Sequence, residues 1–137
     1  GPSGDLYVEI RVNPHKIFER EGSNISCEIP ISILVAALGG EIKMPTLNGS
    51  VSVKIPPGTQ SGKIFRLKGK GVTTARDNRV GDLYAAISVE TPVNLSSKQK
   101  DILKDFYTSI EKGGKKHSPR HNSWVSSVKN FFDRISS

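Results

Sequence analysis

The chain has 137 residues, of which 35% are hydrophobic and 24% are charged, and its formal net charge at pH 7 is +7. This length suits one domain, or one domain with a tail. The single cysteine, Cys27, excludes an intrachain disulfide and a two- or four-cysteine metal site, and no apolar run approaches the roughly 18 residues of a membrane span. We therefore expect a cytoplasmic protein from a reducing compartment.

The first predicted elements are strands. Apolar and polar residues alternate over residues 6–12, which predicts a half-buried strand that an Asn-Pro-His turn ends. A second alternation over residues 25–31 predicts a strand in which Pro30, having no N–H to donate, indicates an edge strand or the end of one. An unpaired edge of this kind can accept an extended peptide as an additional strand.

A short helix and a hairpin follow. Ser32 is a suitable N-cap for a helix over residues 33–38, which two glycines end. Asn48-Gly49 lies between two alternating runs and predicts a hairpin turn, because both residues tolerate positive φ. Two prolines end the hairpin, and two more strands are predicted over residues 64–67 and 83–89.

The composition changes after residue 92. Ser96 or Ser97 can cap a helix over residues 98–111, whose large apolar side chains form one stripe: Ile102, Leu103, Phe106, Tyr107 and Ile110. The spacing is equally compatible with packing on the chain's own sheet and with a dimer interface.

A basic, proline-containing linker over residues 113–122 leads to a second amphipathic segment, which Ser123 is expected to cap. Its apolar residues also share one helical face: Trp124, Val128, Phe131, Phe132 and Ile135. This face could pack on a partner chain, on the same domain or on an anionic membrane surface. Asp133 and the small number of basic residues in the segment weaken the membrane alternative.

No pattern in the sequence predicts catalysis or metal binding. The run from Gly58 to Lys63 has three residues between its glycines, whereas a phosphate-binding loop has four, and no Ser or Thr follows the lysine. His117 and His121 are four residues apart, but Pro119 between them disfavours a helix that would align them as ligands. Cys27 alternates with isoleucines and is expected to be a small core residue. We therefore predict a protein that is not an enzyme and holds no metal.

The positive charge is concentrated at one end. Residues 1–92 carry +2, whereas residues 93–137 carry +5, with 9 Lys and Arg against 4 Asp and Glu. The alternative function is therefore a basic nucleic-acid-binding adaptor that uses the C-terminal tail. No aromatic platform lies among the basic residues 112–121, so we favour no nucleic-acid partner.

Several motifs occur in a fixed order along the chain: PHKIFEREG, ALGGEIKMPTLNG, KIPPGTQSGKIFRLKGKGV, GDLY, VETP and a tail containing FF. Over nearly the whole chain they resemble the C-terminal substrate-binding and dimerisation region of DnaJ, the bacterial J-domain co-chaperone of the heat-shock family. The resemblance implies a mainly β fold, a small β-sandwich of the DnaJ C-terminal peptide-binding type with one short helix, followed by one or two C-terminal amphipathic helices.

The resemblance also implies a division of the chain. Its parts are a linker with the last strand of a preceding domain (1–13), a β-rich client-binding domain (14–93), a dimerisation helix (94–112), a basic linker (113–122) and an amphipathic segment (123–137). The implied role is non-catalytic: the protein binds exposed apolar segments of unfolded polypeptides, forms a homodimer and delivers its clients to the chaperone DnaK.

The family's functional positions map onto two sets of residues. The client groove maps onto Cys27, Ile29, Ile42 and Met44, although the same alternation is typical of ordinary core residues. The dimer interface maps onto Ile102, Leu103, Phe106, Tyr107 and Ile110. The chain contains neither the His-Pro-Asp motif nor the CxxCxGxG repeats. The resemblance therefore implies no cofactor in these residues, no stimulation of the DnaK ATPase by this chain alone, and zinc only in another part of the full-length family protein.

Overall fold

The computed structural model describes residues 17–74 and 79–136. Its elements are β1 (Glu19–Glu21), β2 (Asn24–Ser32), α1 (Ile33–Leu38), β3 (Gly40–Thr46), β4 (Gly49–Ile55), β5 (Ile64–Leu67), β6 (Leu83–Glu90), α2 (Ser97–Lys112), a 3-10 helix (Gly114–His117) and α3 (Pro119–Ser136). The chain divides into two compact units, of which the first ends at Pro92 and the second begins at Val93. The strand predicted over residues 6–12 and the turn after it lie outside the described residues.

Two sheets and α1 form the first unit, as the predicted mainly β fold requires. The larger sheet has the order β1-β2-β6-β5, in which β2 and β6 are parallel and the other pairs are antiparallel. The smaller sheet is the antiparallel β3–β4 hairpin. The apolar faces of the strands meet in one buried core: Phe18, Ile25, Cys27, Ile31, Ala36, Met44, Ile55, Leu83, Ala85 and Ile87.

The predicted hairpin is present, but its turn lies one residue earlier than expected. Thr46 pairs with Gly49, so Leu47 and Asn48 are the turn residues. Neither of these two has a positive φ, whereas Gly49 has φ 147°. The turn is therefore not the type that needs positive φ at both central residues, and the glycine alone adopts the conformation that a Cβ disfavours.

Helix α1 is held at both ends by the residues around it. The Ser32 side chain accepts a hydrogen bond from the Val35 N–H at 3.2 Å, which confirms the predicted N-cap. At the other end, the N–H groups of Gly58 and Thr59 donate to the Ala36 carbonyl at 2.8 and 2.9 Å. The turn after β4 thus satisfies a carbonyl that the end of the helix leaves without a partner.

The two C-terminal helices begin with different signals. Ser96 and Gln99 form a reciprocal capping box for α2, with hydrogen bonds of 2.8 and 3.2 Å, in agreement with the predicted N-cap. Helix α3 begins at Pro119, so the prediction that Ser123 caps it is wrong. Proline suits the first position of a helix, because its φ is already helical and its missing N–H would have had no partner there.

Candidate functional site

Among the described residues, strand β2 has a neighbour on both sides only at its beginning. It pairs with β6 from Ile25 to Ser32 on one side. On the other side β1 covers only Asn24 to Ser26. Although β1 is the outer strand of the sheet, no strand among residues 17–74 and 79–136 lies beside residues 27–32 of β2 on this side, and we call this stretch the free edge.

The hydrogen-bonding groups at this edge follow from the ladder. The Ile25 N–H donates to the Asp82 carbonyl at 3.0 Å, so Ile25 and every second residue after it turn their backbone groups towards β6. The backbone groups of Glu28 and Pro30 consequently point to the free side. Since proline has no N–H, this stretch offers the Glu28 N–H as donor and the carbonyls of both residues as acceptors.

The four residues mapped to the client groove differ in exposure. Met44 has 0% of its surface exposed and Cys27 has 7%, so both lie within the core. Burial also raises the pKa of the Cys27 thiol, which stays protonated and unreactive at neutral pH. Ile29 and Ile42 are half-buried and pack against the same core. Of the four, these two isoleucines have apolar surface that a ligand can reach, and the role of the whole set stays a prediction.

A hydrogen-bond network fixes the start of β2 against β6. The Asp82 carboxylate accepts from Arg66 Nε at 2.7 Å and from the Gly69 N–H at 2.9 Å. The Asp82 N–H donates to Asn24 Oδ1 at 2.8 Å. The Gly69 N–H and the neighbouring guanidinium hold the pKa of the Asp82 carboxyl below its usual range, because both favour the charged form.

This network gives the first unit a pH-dependent component of stability. Because the pKa of Asp82 is lowered on folding, its contribution is complete above the unfolded pKa of about 3.9 and is lost as the pH falls from that value through the lower pKa of the folded state. We expect Asp82→Asn to lower the urea midpoint at pH 7 by more than at pH 3, whereas Glu41→Gln, an exposed change on β3, should leave both midpoints nearly unchanged. An equal decrease at both pH values would contradict this role of the carboxylate.

Two glycines of the KGKGV and GDLY motifs allow a close backbone approach next to this network. A Cβ at Gly71 or at Gly81 would overlap the Ser23 carbonyl oxygen. That oxygen accepts a hydrogen bond from the Val72 N–H at 2.7 Å, and the Gly71 N–H donates to the Gly81 carbonyl at 2.8 Å. The motifs that carry the family resemblance thus hold the β1–β2 turn in place at the beginning of β2.

The apolar stripe predicted on the first C-terminal helix lies along α2 and is exposed. Phe106 is 58% exposed and Tyr107 63%, and α2 has no buried residue. The same holds for α3, whose Trp124 is 64% exposed and whose Phe131 and Phe132 rings meet edge to face at a centroid distance of 5.5 Å. The second unit therefore presents two apolar helical faces.

The two histidines among the described residues both belong to the second unit. His117 lies in the 3-10 helix and His121 in the first turn of α3. Within residues 17–74 and 79–136, no three His, Cys, Asp or Glu side chains lie close enough to hold a metal ion. Among the described helices, none combines the length and hydrophobicity of a segment that crosses a bilayer.

Sequence reasoning missed two features of the site. Strand β1 has the sequence Glu-Arg-Glu, which shows no apolar alternation, and it covers the beginning of the β2 edge. The sequence therefore did not indicate that β1 covers the beginning of β2 and restricts the free edge to residues 27–32. The parallel pairing of β2 with β6 was also missed, because its register follows from the topology and leaves no local signal.

The comparisons with known proteins agree on one family. The family model described as "DnaJ C terminal domain" matches residues 1–92. A relative named "Chaperone protein DnaJ" from Bordetella petrii is 56% identical over 132 residues, which are 96% of this chain and 35% of the relative. Proteins of the same name from Burkholderia pseudomallei and Burkholderia mallei are 54% and 53% identical over 133 residues, or 97% of this chain and 35% of each relative. The chain thus spans about a third of the length of the curated relatives it matches.

Proposed function

This chain belongs to the family of DnaJ C-terminal domains, a family of chaperones, and from that premise we propose that it is the client-binding and dimerising part of a DnaJ co-chaperone. In this proposal the chain holds apolar segments of unfolded proteins in the cytoplasm and delivers them to DnaK without any catalysis of its own. The observation that carries the proposal is the free edge of β2 next to half-buried Ile29.

The free edge suits a client that adds as a strand. An extended segment beside β2 would accept a hydrogen bond from the Glu28 N–H and donate to the carbonyls of Glu28 and Pro30. Backbone groups are common to all sequences, so this part of the contact selects an unfolded, extended chain and not a particular sequence. With a net gain of roughly 0.5–1.5 kcal/mol for each hydrogen bond, such binding is weak and easily reversed, as the transfer of a client requires.

Apolar preference in this proposal comes from two half-buried isoleucines, one on β2 and one on β3. Ile29 and Ile42 have accessible apolar surface that alternate residues of a client could cover. Cys27 and Met44, which the family resemblance places in the same groove, support this surface from within the core. The buried pair would hold the two isoleucines in place without touching the client.

A dimer would multiply this weak contact. The exposed stripe of α2 is the proposed interface, and two copies would present two client sites to one long unfolded chain. The second contact of a bound chain is then intramolecular, which raises the overall affinity with no new contact. The comparisons lend no support to the nucleic-acid adaptor that the basic tail suggested.

Substitutions at Glu28 test strand addition directly. Glu28→Pro removes the N–H donor in the middle of the free edge, so we expect about a three- to tenfold weaker binding of a reduced, alkylated unfolded protein in a fluorescence anisotropy titration. Glu28→Ala is the matched control, because it removes the same carboxylate and keeps the N–H, and it should bind like the original chain. Equal binding by all three proteins, with both variants folded by circular dichroism, would overturn strand addition at this edge.

A further inference from the structure

Strand β5 forms the end of the larger sheet that lies opposite β1. It pairs with β6 along its whole length, and among the described residues no strand lies on its other side. The Ile87 N–H donates to the Lys63 carbonyl at 2.8 Å, so Lys63 and every second residue after it turn their backbone groups towards β6. The N–H and carbonyl groups of Ile64 and Arg66 therefore point away from β6, and we call this row of groups the outer edge of β5.

Positive charge is concentrated along this edge. The sequence has no acidic residue between Glu41 and Asp77, and four of the seven basic residues in that interval fall within eight positions: Lys63, Arg66, Lys68 and Lys70. All four of these side chains are exposed. Arg66 Nε donates to the Asp82 carboxylate at 2.7 Å, so that carboxylate balances the guanidinium charge. The three lysines consequently give the outer edge its net charge.

The two faces of β5 differ in polarity. Ile64 and Arg66 are exposed on one face of the strand. Phe65 and Leu67 lie on the other face, where both are half-buried and pack against the core. Lys63 Nζ lies 5.9 Å from the centroid of the Phe65 ring, which places a positive charge beside this apolar face as well. A strand added at the outer edge would place alternate side chains next to these two faces, so the matching segment alternates acidic and apolar residues.

The lysines also decide which strands the edge can accept. Lysine at a sheet edge is a common means of preventing two copies of one protein from pairing through their edges, because the like charges repel each other. The same charges attract a segment that carries carboxylates, so one set of side chains disfavours a second copy and favours an acidic partner. A nucleic acid would also meet the lysines, but its phosphates are acceptors and leave the outward carbonyls of Ile64 and Arg66 without donors.

We propose that the outer edge of β5 binds an extended segment of another protein, in which Asp or Glu alternates with apolar residues, as an additional strand of the larger sheet. This binding goes beyond the proposed capture of clients and does not depend on it. Strands β2 and β5 lie on opposite sides of β6, so the free edge of β2 and the outer edge of β5 are separate. Glu28 is exposed at the free edge of β2 and would repel an acidic segment there.

A fluorescein-labelled peptide of alternating glutamate and valine tests the charge of this site on the full chain. In anisotropy titrations, Lys68→Glu with Lys70→Glu should weaken binding at least about tenfold, because like charges then face each other. Lys43→Glu with Lys54→Glu changes the net charge equally at exposed residues of the β3–β4 hairpin, and in about 0.15 M salt it should weaken binding less than about twofold. Equal losses in the two variants would mean unspecific attraction to the whole protein and would overturn the site.

Substitutions at Ile64 separate strand addition from charge alone. Ile64→Pro removes an outward N–H and keeps the pairing with β6, so it should bind the peptide about three- to tenfold more weakly than Ile64→Ala, which keeps the N–H. Equal binding by these two variants, both folded by circular dichroism, would overturn strand addition.

Two further measurements distinguish this site from the alternatives. Glu28→Pro should bind the acidic peptide like the original chain, whatever its effect on unfolded clients. A loss of peptide binding in Glu28→Pro would move the peptide to the free edge of β2 and overturn the inference. Single-stranded oligothymidylate of equal charge should compete poorly with the peptide. Displacement of the peptide at lower concentrations of oligothymidylate than of unlabelled peptide would assign the lysines to nucleic acid and overturn the inference as well.

Discussion

Replacing Leu103 and Phe106 by Asp should halve the solution mass of the protein, from about twice 14.9 kDa to 14.9 kDa. Both side chains are exposed on α2 of the single chain, Leu103 by 37% and Phe106 by 58%, so the separate chain can carry the carboxylates without losing its fold. In a dimer they would be buried in an apolar helix interface. Leaving a buried charge without a partner costs about 3–5 kcal/mol, which weakens association at least about a hundredfold.

Light scattering over a concentration series, with a matched control, measures this effect. Lys104→Gln with Thr108→Asp changes the net charge by the same amount on the other side of α2. The control should keep the mass of the original chain. If the Leu103 and Phe106 variant keeps that mass too, the α2 stripe is not the interface, and the two-site binding proposed above has no structural basis.

Replacing Met44 by Glu should unfold the first unit at room temperature. Met44 has no exposed surface and lies opposite Val51 in the hairpin, so a carboxylate there has neither water nor a partner. Burying it costs several kcal/mol, comparable with the total stability of about 5 kcal/mol expected for a small domain. Urea unfolding followed by circular dichroism should show no folded baseline.

Two control substitutions distinguish the cost of burying a charge from the effect of a negative charge on the protein surface. Met44→Leu conserves the volume and should cost less than about 1.5 kcal/mol. Lys43→Glu introduces the same charge at the adjacent, exposed residue and should leave the urea midpoint nearly unchanged. A folded Met44→Glu protein that binds unfolded clients weakly would instead place Met44 at the client surface, as the family resemblance suggests.

The sequence predicted the first residue of a helix well where a single side chain caps that end. Ser32 and Ser96 cap their helices as expected, because a hydroxyl that accepts a hydrogen bond from a helix N–H needs no distant partner. Pro119 was interpreted as a residue that disfavours a helix, whereas it begins one. The same residue type ends a helix from within and starts it from the first position, so its effect depends on where the helix lies.

The exposure of the candidate site residues was harder to predict than the ends of the helices. The exposed fraction of a strand residue depends on which other elements pack against that side of the sheet, and these are distant in sequence. Ile42 and Met44 alternate identically in the sequence, yet one is half-buried and the other has no accessible surface. Pro30 indicated an edge strand or the end of one, whereas β2 is the second strand of its sheet and, among the described residues, has a free edge only over residues 27–32. Its extent depends on the three-residue strand β1, which has no periodicity to detect, and on pairing with a strand far along the chain.

The parallel pairing of β2 with β6 also sets the order in which the protein can acquire its fold during synthesis. Ile25 meets Leu83, so β2 leaves the ribosome 58 residues before its partner strand begins. The β3–β4 hairpin pairs neighbouring residues and can form at once, whereas the contact of high sequence separation must wait. Until β6 emerges, β2 has no strand on its β6 side, and its apolar side chains are not yet buried. The nascent chain then presents the kind of extended, apolar segment that the finished domain is proposed to bind.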